Sequence, residues 1–197
     1  MLNVIIFVAA YLICSINPAI IISKKVIGTD IRKVGSGNAG TTNALRTMGK
    51  GWGAAVFILD AFKVAVAYWA MIILGNIFGD GKTSIMESFY LVGAVIGHCY
   101  PIYYGFKGGK GVVAVIISCS FVAPKYVLVC LIVGIIIIVV SRMVSLGSVS
   151  AVTLFAIMIL VMNPKYAIAV LIVASVIIYK HRANIKRIMN KEENKLF

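Results

Sequence analysis

The chain begins with LNVIIFVAAYLICSINPAIIIS at residues 2–23, a stretch without a single charged side chain. A helix rises about 1.5 Å per residue, so about 20 apolar residues cross a hydrocarbon core of about 30 Å. Residues 1–10 lack the basic start of a cleavable signal. We therefore interpret residues 2–23 as a permanent membrane span.

Six further apolar runs follow the first one along the chain. They cover residues 52–78, 88–104, 111–123, 126–140, 144–162 and 166–179. Hydrophobic residues make up 61% of the chain and the mean hydropathy is +1.03, so the connecting segments cannot form a soluble core. The sequence predicts an all-α integral membrane protein, a compact bundle of about seven transmembrane helices that forms one domain over residues 1–197.

Two neighbouring runs, 111–123 and 126–140, are shorter than a full span. Either they form a hairpin of short, tilted helices, or one of them is re-entrant. A bundle of five spans is the alternative arrangement. The sequence therefore predicts that some spans are short or broken.

Basic residues concentrate in alternate connections between the runs. Segments 24–51, 105–110, 141–143 and 180–197 carry 15 of the 19 lysines and arginines. Short loops rich in these residues stay in the cytoplasm, which predicts an N-terminus outside and a cytoplasmic C-terminus. The net charge of +13 then belongs to the inner face, where it favours anionic membrane lipids and small anionic substrates. The lack of a soluble domain argues against nucleic acid as a partner.

The first basic segment contains GSGNAGTTNALR at residues 35–46. Its glycines let the backbone approach a ligand closely, and its serine, threonines and asparagines supply hydrogen-bonding groups. Arg46 adds a planar fork that suits two phosphate oxygens. The alternative is an ordinary polar loop with a turn. The string also matches GxGxxG, but a dinucleotide fingerprint needs a soluble strand before it, and the acidic residue at the right distance, Asp60, lies within an apolar run.

A second segment, FKGGKG at residues 106–111, places two lysines among three glycines. It is not an NTPase loop, because tyrosine stands at position 104 and glycine at 111, where that motif needs glycine and a hydroxyl residue. A phosphate cradle remains, with Lys110 as its point charge and a short helix that begins just after the glycines. The alternative is a basic turn that only sets topology. The nearby His98, in GHCYP at 97–101, is either a hydrogen-bonded packing element or a base.

Polar groups inside the apolar runs have structural and functional interpretations. Asp60 and Lys63 lie three residues apart on one helix face, and we favour a structural ion pair over a lining of the site. Ser145 and Ser148 share a helix face near the inner surface, where they either pack or bind a ligand. The cysteines show no metal-binding spacing, and we interpret all of them as small buried hydrophobes: Cys14, Cys99, Cys119 and Cys130.

The tail KHRANIKR at residues 180–187 is predicted to continue the last span as a basic helix. His181, Asn184 and Arg187 recur every three residues along one side of it. A basic flank that stops membrane transfer explains the cations but not His181 and Asn184. All these polar segments end on one side of the membrane, so the leading hypothesis is a phosphate-binding site at the membrane surface.

Together these strings resemble the PlsY family of bacterial acyl-phosphate-dependent glycerol-3-phosphate acyltransferases. The resemblance runs through GSGNAGTTNALR at 35–46, GHCYP at 97–101, FKGGKGV at 106–112, VSLGS at 144–148 and HRANIKR at 181–187. It implies transfer of a fatty acyl group from acyl phosphate to the sn-1 hydroxyl of glycerol 3-phosphate, which gives lysophosphatidic acid and phosphate. It also implies a multi-pass protein of the bacterial inner membrane with its active site at the cytoplasmic face. Phospholipid synthesis begins with this step.

Residue chemistry and the resemblance together select the candidate site. The expected catalytic residues are Ser36, Asn43, Arg46, Lys110, His181 and Asn184. The expected substrate-binding residues are Gly35, Gly37, Asn38, Gly40, His98, Lys107, Gly108, Gly109, Gly111, Ser145 and Ser148. Glu193 resembles an acidic residue that supports the structure, although Lys191 and Glu192 stand before it where the family often has Gly-Thr.

The expected chemistry needs little from the protein beyond binding and charge. Acyl phosphate is already activated, so we expect direct attack by the glycerol hydroxyl without a covalent acyl-enzyme. Arg46, Lys110 and backbone N–H groups would position the substrates and stabilise charge. The proton passes to His181 or to a substrate phosphate oxygen. No cofactor and no metal are expected, because the candidate segments lack a carboxylate cluster.

Two other classes of protein compete with an enzyme. A transporter of organic phosphate also needs a basic vestibule, but its route would place polar groups at several depths, whereas here they crowd one side. A structural subunit that binds anionic lipid would explain the charge but not the ordered glycine motifs.

Overall fold

The computed structural model describes residues 1–79 and 81–195, and every regular element within them is a helix. Ten of these elements are α-helices, and short 3₁₀ turns occur at Ile31–Lys33, Ile102–Tyr104 and Pro164–Tyr166. The chain divides into two compact units, Met1–Ser118 and Cys119–Phe197. That they act as one domain stays a prediction.

The first unit is organised around one long helix. In chain order its helices are α1 (Leu2–Cys14), α2 (Pro18–Val26), α3 (Thr41–Met48), α4 (Lys50–Phe78), α5 (Ser84–Cys99) and the start of α6 (Val112–Val122). Helix α4 contacts α1, α2, α3 and α5, and α1 also packs along α5. The 29-residue α4 therefore forms the centre of this unit.

The first apolar stretch, predicted as one span, is two helices. Helix α1 ends at Cys14 and α2 begins at Pro18, and together they form a candidate span over Leu2–Val26. Pro18 has no backbone N–H to donate and takes the first helical position, and Asn17 caps the new helix by accepting a hydrogen bond from the Ile20 N–H at 3.1 Å. The break brings the polar Asn17 into a membrane-spanning segment.

The second unit is a chain of helices packed in sequence. It contains α7 (Pro124–Ser141), α8 (Val144–Met162), α9 (Ala167–Lys180) and α10 (Arg182–Met189). Helix α8 contacts α7, α9 and α10. A tight turn with Arg142 in the left-handed conformation joins α7 to α8. Helix α7 is longer than the run at 126–140 indicated, because Pro124 starts it, and its 18 residues reach the length of a span.

The fold class is confirmed as an all-α integral membrane protein. Within the described residues, five helical segments are long and apolar enough to cross a membrane, and the pair α9 and α10 makes a sixth if counted as one broken span. Helix α6 has only 11 residues, as the short run at 111–123 predicted. The number of spans and the orientation of the termini stay predictions.

The tail forms the predicted basic helix, but the prediction that this helix continues the last span is wrong. Helix α9 ends at Lys180, α10 begins at Arg182, and the bend between the two helical segments is 57°. His181 stands at the break. In a straight helix, the basic residues of the tail would follow the axis of the span. The bend instead directs the axis of α10 away from that of α9.

Close approach of backbones joins α1 to α5. A Cβ at Gly93 would stand 2.6 Å from the Phe7 carbonyl oxygen, and one at Gly97 would overlap the Tyr11 carbonyl oxygen. Two glycines four residues apart thus form a flat helix face, as is common between membrane helices. The Tyr11 hydroxyl adds a hydrogen bond of 3.0 Å to the Tyr100 carbonyl. The four cysteines are all buried, as predicted.

We predict that Gly97→Ala destabilises the protein by about 1–3 kcal/mol, because the added methyl group forces α5 away from α1. Thermal unfolding of the purified protein in detergent measures the effect. Gly51→Ala is the matched control, since a Cβ at Gly51 meets nothing within 4 Å. Equal melting temperatures for the two variants would contradict close packing at Gly97.

Candidate active site

The first glycine loop, residues 34–40, is organised by the buried side chain of Asn43. The side-chain oxygen of Asn43, Oδ1, accepts a hydrogen bond from the Ser36 N–H at 2.9 Å. Its amide nitrogen donates to the Ile31 and Val34 carbonyls at 3.1 and 3.0 Å. Gly35 has a positive φ of 59°, and a Cβ there would overlap the Asn43 side chain. Asn43 therefore holds the loop in its shape.

Helix α3 follows this loop and presents its functional residues on different sides. Asn43 is 1% exposed, whereas Ser36 and Arg46 are exposed. Arg46 lies in the last turn of the eight-residue helix. The buried amide thus shapes the loop while the hydroxyl and the guanidinium face outward.

The second glycine loop, residues 105–111, folds back on the end of α5. The Gly108 N–H donates to the Cys99 carbonyl and the Gly109 N–H to the His98 carbonyl, both at 3.2 Å. Gly111 has a φ of 86°, and α6 begins immediately after it at Val112. The prediction that a short helix starts just after the glycines is confirmed. The first backbone N–H groups of α6 therefore lie next to Lys110 of the loop.

The two glycine loops meet within the first unit. A Cβ at Gly109 would stand 2.9 Å from the Ala39 carbonyl oxygen and would overlap Nε2 of His98. The Asn17 amide also donates to the Ala39 carbonyl, at 3.4 Å. Glycine at 109 is therefore required for the contact between the loops.

Arg32 joins the loops from the other side, and the sequence analysis missed it. Its Nη1 donates to the Tyr104 and Lys107 carbonyls at 2.8 and 3.0 Å. Its Nη2 pairs with Asp30 at 2.7 Å. The hydrogen bond from the Arg32 guanidinium holds the pKa of Asp30 below its ordinary value. A basic residue two positions after an acid was the only signal, and a bond to distant carbonyls leaves no trace in sequence.

A buried ion pair supports the loops from within the membrane-spanning helices. The Lys63 ammonium lies 2.8 Å from Oδ1 of Asp60, 2.6 Å from the Ile16 carbonyl oxygen and 3.2 Å from Nδ1 of His98. The predicted structural pair is confirmed. His98 is 3% exposed and takes part in this hydrogen-bonded packing.

In the second unit, polar residues gather around Glu193. Its Oε1 accepts hydrogen bonds from Oγ of Ser145 at 2.8 Å and Nδ2 of Asn184 at 2.6 Å, and its Oε2 accepts from Nε of Arg187 at 2.8 Å. We call these four residues the Glu193 cluster. Burial opposes ionisation, but the bonds from Asn184, Ser145 and Arg187 outweigh it and hold the pKa of Glu193 below its ordinary value.

The two serines of α8 have different partners. Ser145 belongs to the Glu193 cluster, whereas the Ser148 hydroxyl donates to the Val144 carbonyl of its own helix at 2.8 Å. Both side chains are buried. Their expected roles in substrate binding stay predictions.

His181 occupies the break between α9 and α10. It is 2% exposed, and Nδ1 lies 2.8 Å from the Ile177 carbonyl oxygen. Because a carbonyl oxygen only accepts, Nδ1 carries the hydrogen, which leaves the lone pair of the neutral ring on Nε2. An imidazole in this tautomer is able to take up a proton through Nε2.

Each unit thus assembles one part of the predicted set. The first unit brings together the loops that contain Ser36, Lys107, Lys110 and their glycines, and it holds Arg46 on helix α3, which follows the first loop. The second brings together Ser145, Asn184, Arg187 and Glu193, with His181 at the start of the same short helix. Within the described residues, no group of three or more histidine, cysteine and acidic side chains could hold a metal ion.

Comparison with known proteins gives a consistent result along nearly the whole chain. The sequence model of the family described as glycerol-3-phosphate acyltransferase matches residues 4–191. A glycerol-3-phosphate acyltransferase of Clostridioides difficile is 40% identical over 98% of this chain and 95% of its own length. One from Halalkalibacterium halodurans is 38% identical over 96% of this chain and 93% of its own length.

Solved structures agree with the sequence comparison. The fold is similar to that of PlsY, an integral membrane glycerol 3-phosphate acyltransferase, in its glycerol 3-phosphate form. The TM-score is 0.86 at 33% identity, over 98% of this chain and 94% of that one. The lysophosphatidic acid form of PlsY gives a TM-score of 0.83 at 31% identity over the same shares of the two chains. The chain therefore belongs to the PlsY family of integral membrane glycerol-3-phosphate acyltransferases.

Proposed function

We propose that this glycerol-3-phosphate acyltransferase takes its acyl group from acyl phosphate and places it on the sn-1 hydroxyl of glycerol 3-phosphate. The hydroxyl oxygen bonds to the acyl carbonyl carbon, and the bond from that carbon to the phosphate oxygen breaks. Lysophosphatidic acid and inorganic phosphate leave. The enzyme is a multi-pass protein of the bacterial inner membrane that works at its cytoplasmic face.

The meeting of two glycine-rich basic loops in one unit is the observation that supports this proposal most. Both substrates carry phosphate, which binds well to backbone N–H groups at a helix start and to nearby cations. The second loop offers Lys110 and leads into the N-terminus of α6, and helix α3, which follows the first loop, offers Arg46. We propose that the second loop binds the phosphate of glycerol 3-phosphate.

We assign different tasks to the residues of the first loop and of helix α3. The three hydrogen bonds of the Asn43 side-chain amide go to the backbone of residues 31–36, so Asn43 shapes the loop and does not touch substrate. Ser36 and Arg46 are exposed, and they bind substrate and stabilise the charge that develops on the leaving phosphate. This refines the expectation that all three are catalytic.

The reaction needs no covalent acyl-enzyme. Phosphate is already a good leaving group, so an enzyme nucleophile would add a step without lowering the barrier to acyl transfer. Holding the hydroxyl near the carbonyl carbon and compensating the charge on phosphate are sufficient. This supports direct attack.

His181 is our candidate for the base that receives the hydroxyl proton. Its Nδ1 hydrogen faces the Ile177 carbonyl, so Nε2 is the atom able to accept a proton. The alternative acceptor is a phosphate oxygen of the substrate, in which case His181 only binds. Asn184 contributes less directly, because its amide nitrogen donates to Glu193.

The purified protein in detergent is expected to convert long-chain acyl phosphate and labelled glycerol 3-phosphate into lysophosphatidic acid, with one phosphate released per product. Nuclear magnetic resonance of the product is expected to place the ester at sn-1. Arg46→Ala and Lys110→Ala should lower kcat/KM by about 10²–10³, the usual cost of losing a group that stabilises developing charge. Lys25→Ala, an exposed cation at the end of α2, is the control and should retain activity. Acyl transfer from a thioester but not from acyl phosphate would refute the proposed donor.

His181→Ala is expected to lower kcat by about 10²–10⁴ while glycerol 3-phosphate still binds, because a general base contributes about that much to the rate. Isothermal calorimetry measures binding and the acyl transfer assay measures kcat. Lys186→Ala, an exposed residue of α10, serves as the control. Loss of binding at unchanged kcat would assign His181 to anchoring instead.

Glu193→Gln is expected to destabilise the protein by about 1–3 kcal/mol at neutral pH, because the amide cannot accept all the bonds that the carboxylate accepts. Ionised Glu193 stabilises the fold above its ordinary pKa of 4.5, and this contribution is lost as pH falls through the lower pKa of the folded state. The difference in melting temperature between wild type and Glu193→Gln should therefore shrink in acid. Glu192→Gln, at the exposed neighbouring residue, is the control. A difference that does not depend on pH would contradict the charged role of Glu193.

A further inference from the structure

The Lys63 ammonium connects three elements of the first unit. It pairs with Asp60 of its own helix at 2.8 Å. It donates to the carbonyl of Ile16, at the break between α1 and α2, at 2.6 Å. It also lies 3.2 Å from Nδ1 of His98, in the last turn of α5.

The same ring nitrogen of His98 faces both members of the ion pair. Its Nδ1 lies 3.2 Å from the Lys63 ammonium and 3.4 Å from Oδ1 of Asp60. Asp60 balances the charge of Lys63, and both are almost completely buried, with 1% and 6% exposed. The ion pair is neutral as a unit, which lowers the cost of keeping it inside a membrane protein.

One side of the ion pair leads to the first glycine loop. Ile16 is followed by Asn17, whose oxygen caps α2 and whose amide nitrogen donates to the Ala39 carbonyl at 3.4 Å. Ile16 lies between α1 and α2, and its carbonyl accepts a hydrogen bond from the Lys63 ammonium. The ammonium therefore fixes the chain from which Asn17 reaches the loop.

The other side leads to the second glycine loop. The edge of the His98 ring that faces away from Lys63 carries Nε2, and this atom packs against Gly109 so closely that a Cβ would overlap it. The His98 carbonyl also accepts the hydrogen bond from the Gly109 N–H at 3.2 Å. The orientation of the ring thus sets how near Gly109 approaches.

We infer that Asp60 and Lys63 are positioning residues for glycerol 3-phosphate, which hold the second glycine loop in its binding conformation through His98. The inference rests on the proposed function in one respect, the assignment of that loop to the substrate phosphate. Neither residue touches substrate. A pair that served only the stability of the helices would have no selective effect on one substrate.

The kinetic test compares Lys63→Met, Asp60→Asn and the double variant, which leaves no lone buried charge. Each is expected to raise the KM for glycerol 3-phosphate by about tenfold or more, with the KM for the acyl donor changed by less than about twofold. The melting temperature of each variant confirms that it is folded. If the single variants do not fold, the neutral double variant carries the test.

The control is a second lysine–carboxylate pair of the same unit, in which the carboxylate is buried and the lysine is exposed. Lys82 lies 2.7 Å from Glu87, which is 4% exposed at the N-terminal end of α5, the opposite end from His98. Lys82→Met and Glu87→Gln are expected to lower the melting temperature while the KM for glycerol 3-phosphate stays unchanged. An equal rise of that KM in the control variants would overturn the inference.

A double-mutant cycle tests whether His98 is the link. If Lys63 acts through His98, adding Lys63→Met to His98→Gln should raise the KM for glycerol 3-phosphate by less than about twofold beyond His98→Gln alone. Fully additive effects would show that Lys63 does not act through the histidine, and would overturn the proposed route.

Limited proteolysis gives a readout that does not depend on the reaction. Lys107 is exposed at the start of the second glycine loop, so trypsin is expected to cleave after it faster in Lys63→Met than in the wild type or in Glu87→Gln. Unchanged cleavage together with an unchanged KM would overturn the inference. Failure of the proposed donor is distinguishable, because it appears as absent acyl transfer from acyl phosphate in the wild type while the proteolysis result is unaffected.

Discussion

The first unit depends on keeping one ammonium group buried and satisfied. An unpaired lysine among apolar helices is costly, so Lys63 needs a carboxylate and other polar partners close by. It finds them on its own helix, at the break in the first span and at the end of α5. Two of those places, the break in the first span and the end of α5, are also where the chain leaves regular helix or approaches a glycine loop. The contacts that satisfy the buried charge of Lys63 therefore also help to fix the geometry of the two glycine loops.

Breaks in helices organise both units. Backbone that leaves the helical pattern at membrane depth has to find other hydrogen-bond partners, which only neighbouring protein supplies there. At the first break, Asn17 and Lys63 provide them. At the second, His181 bonds the Ile177 carbonyl, and the short helix that follows is held by Glu193. In each case the residue that repairs the break is polar and buried, and so it lies where polar chemistry is possible.

Features that depend on short stretches of chain could be predicted from the sequence. The apolar runs predicted the membrane helices, the spacing of Asp60 and Lys63 predicted their ion pair, and Gly111 predicted the start of α6. Two features had local signals that were not used. Asn17 before Pro18 is a helix cap followed by a residue suited to the first turn, and Pro124 marks the start of α7 in the same way.

Contacts between distant parts of the chain could not be predicted. Arg32 donates to carbonyls more than 70 residues away, and Glu193 reaches Ser145 on a helix 48 residues earlier. Neither bond has a periodic signature, and the acceptors of Arg32 are backbone atoms that every residue possesses. The bend at His181 was missed because the residues on both sides favour helix, and the turn arises from packing against α8 and α9.

The acceptors of Arg32 have a consequence for how the protein can diverge. Its guanidinium donates hydrogen bonds to the main-chain oxygens of Tyr104 and Lys107, so substitution of either side chain leaves those acceptors in place. Exchange of Arg32 itself removes both bonds and the partner of Asp30 at once. These bonds therefore constrain the identity of Arg32 but place no requirement on the side chains at 104 and 107.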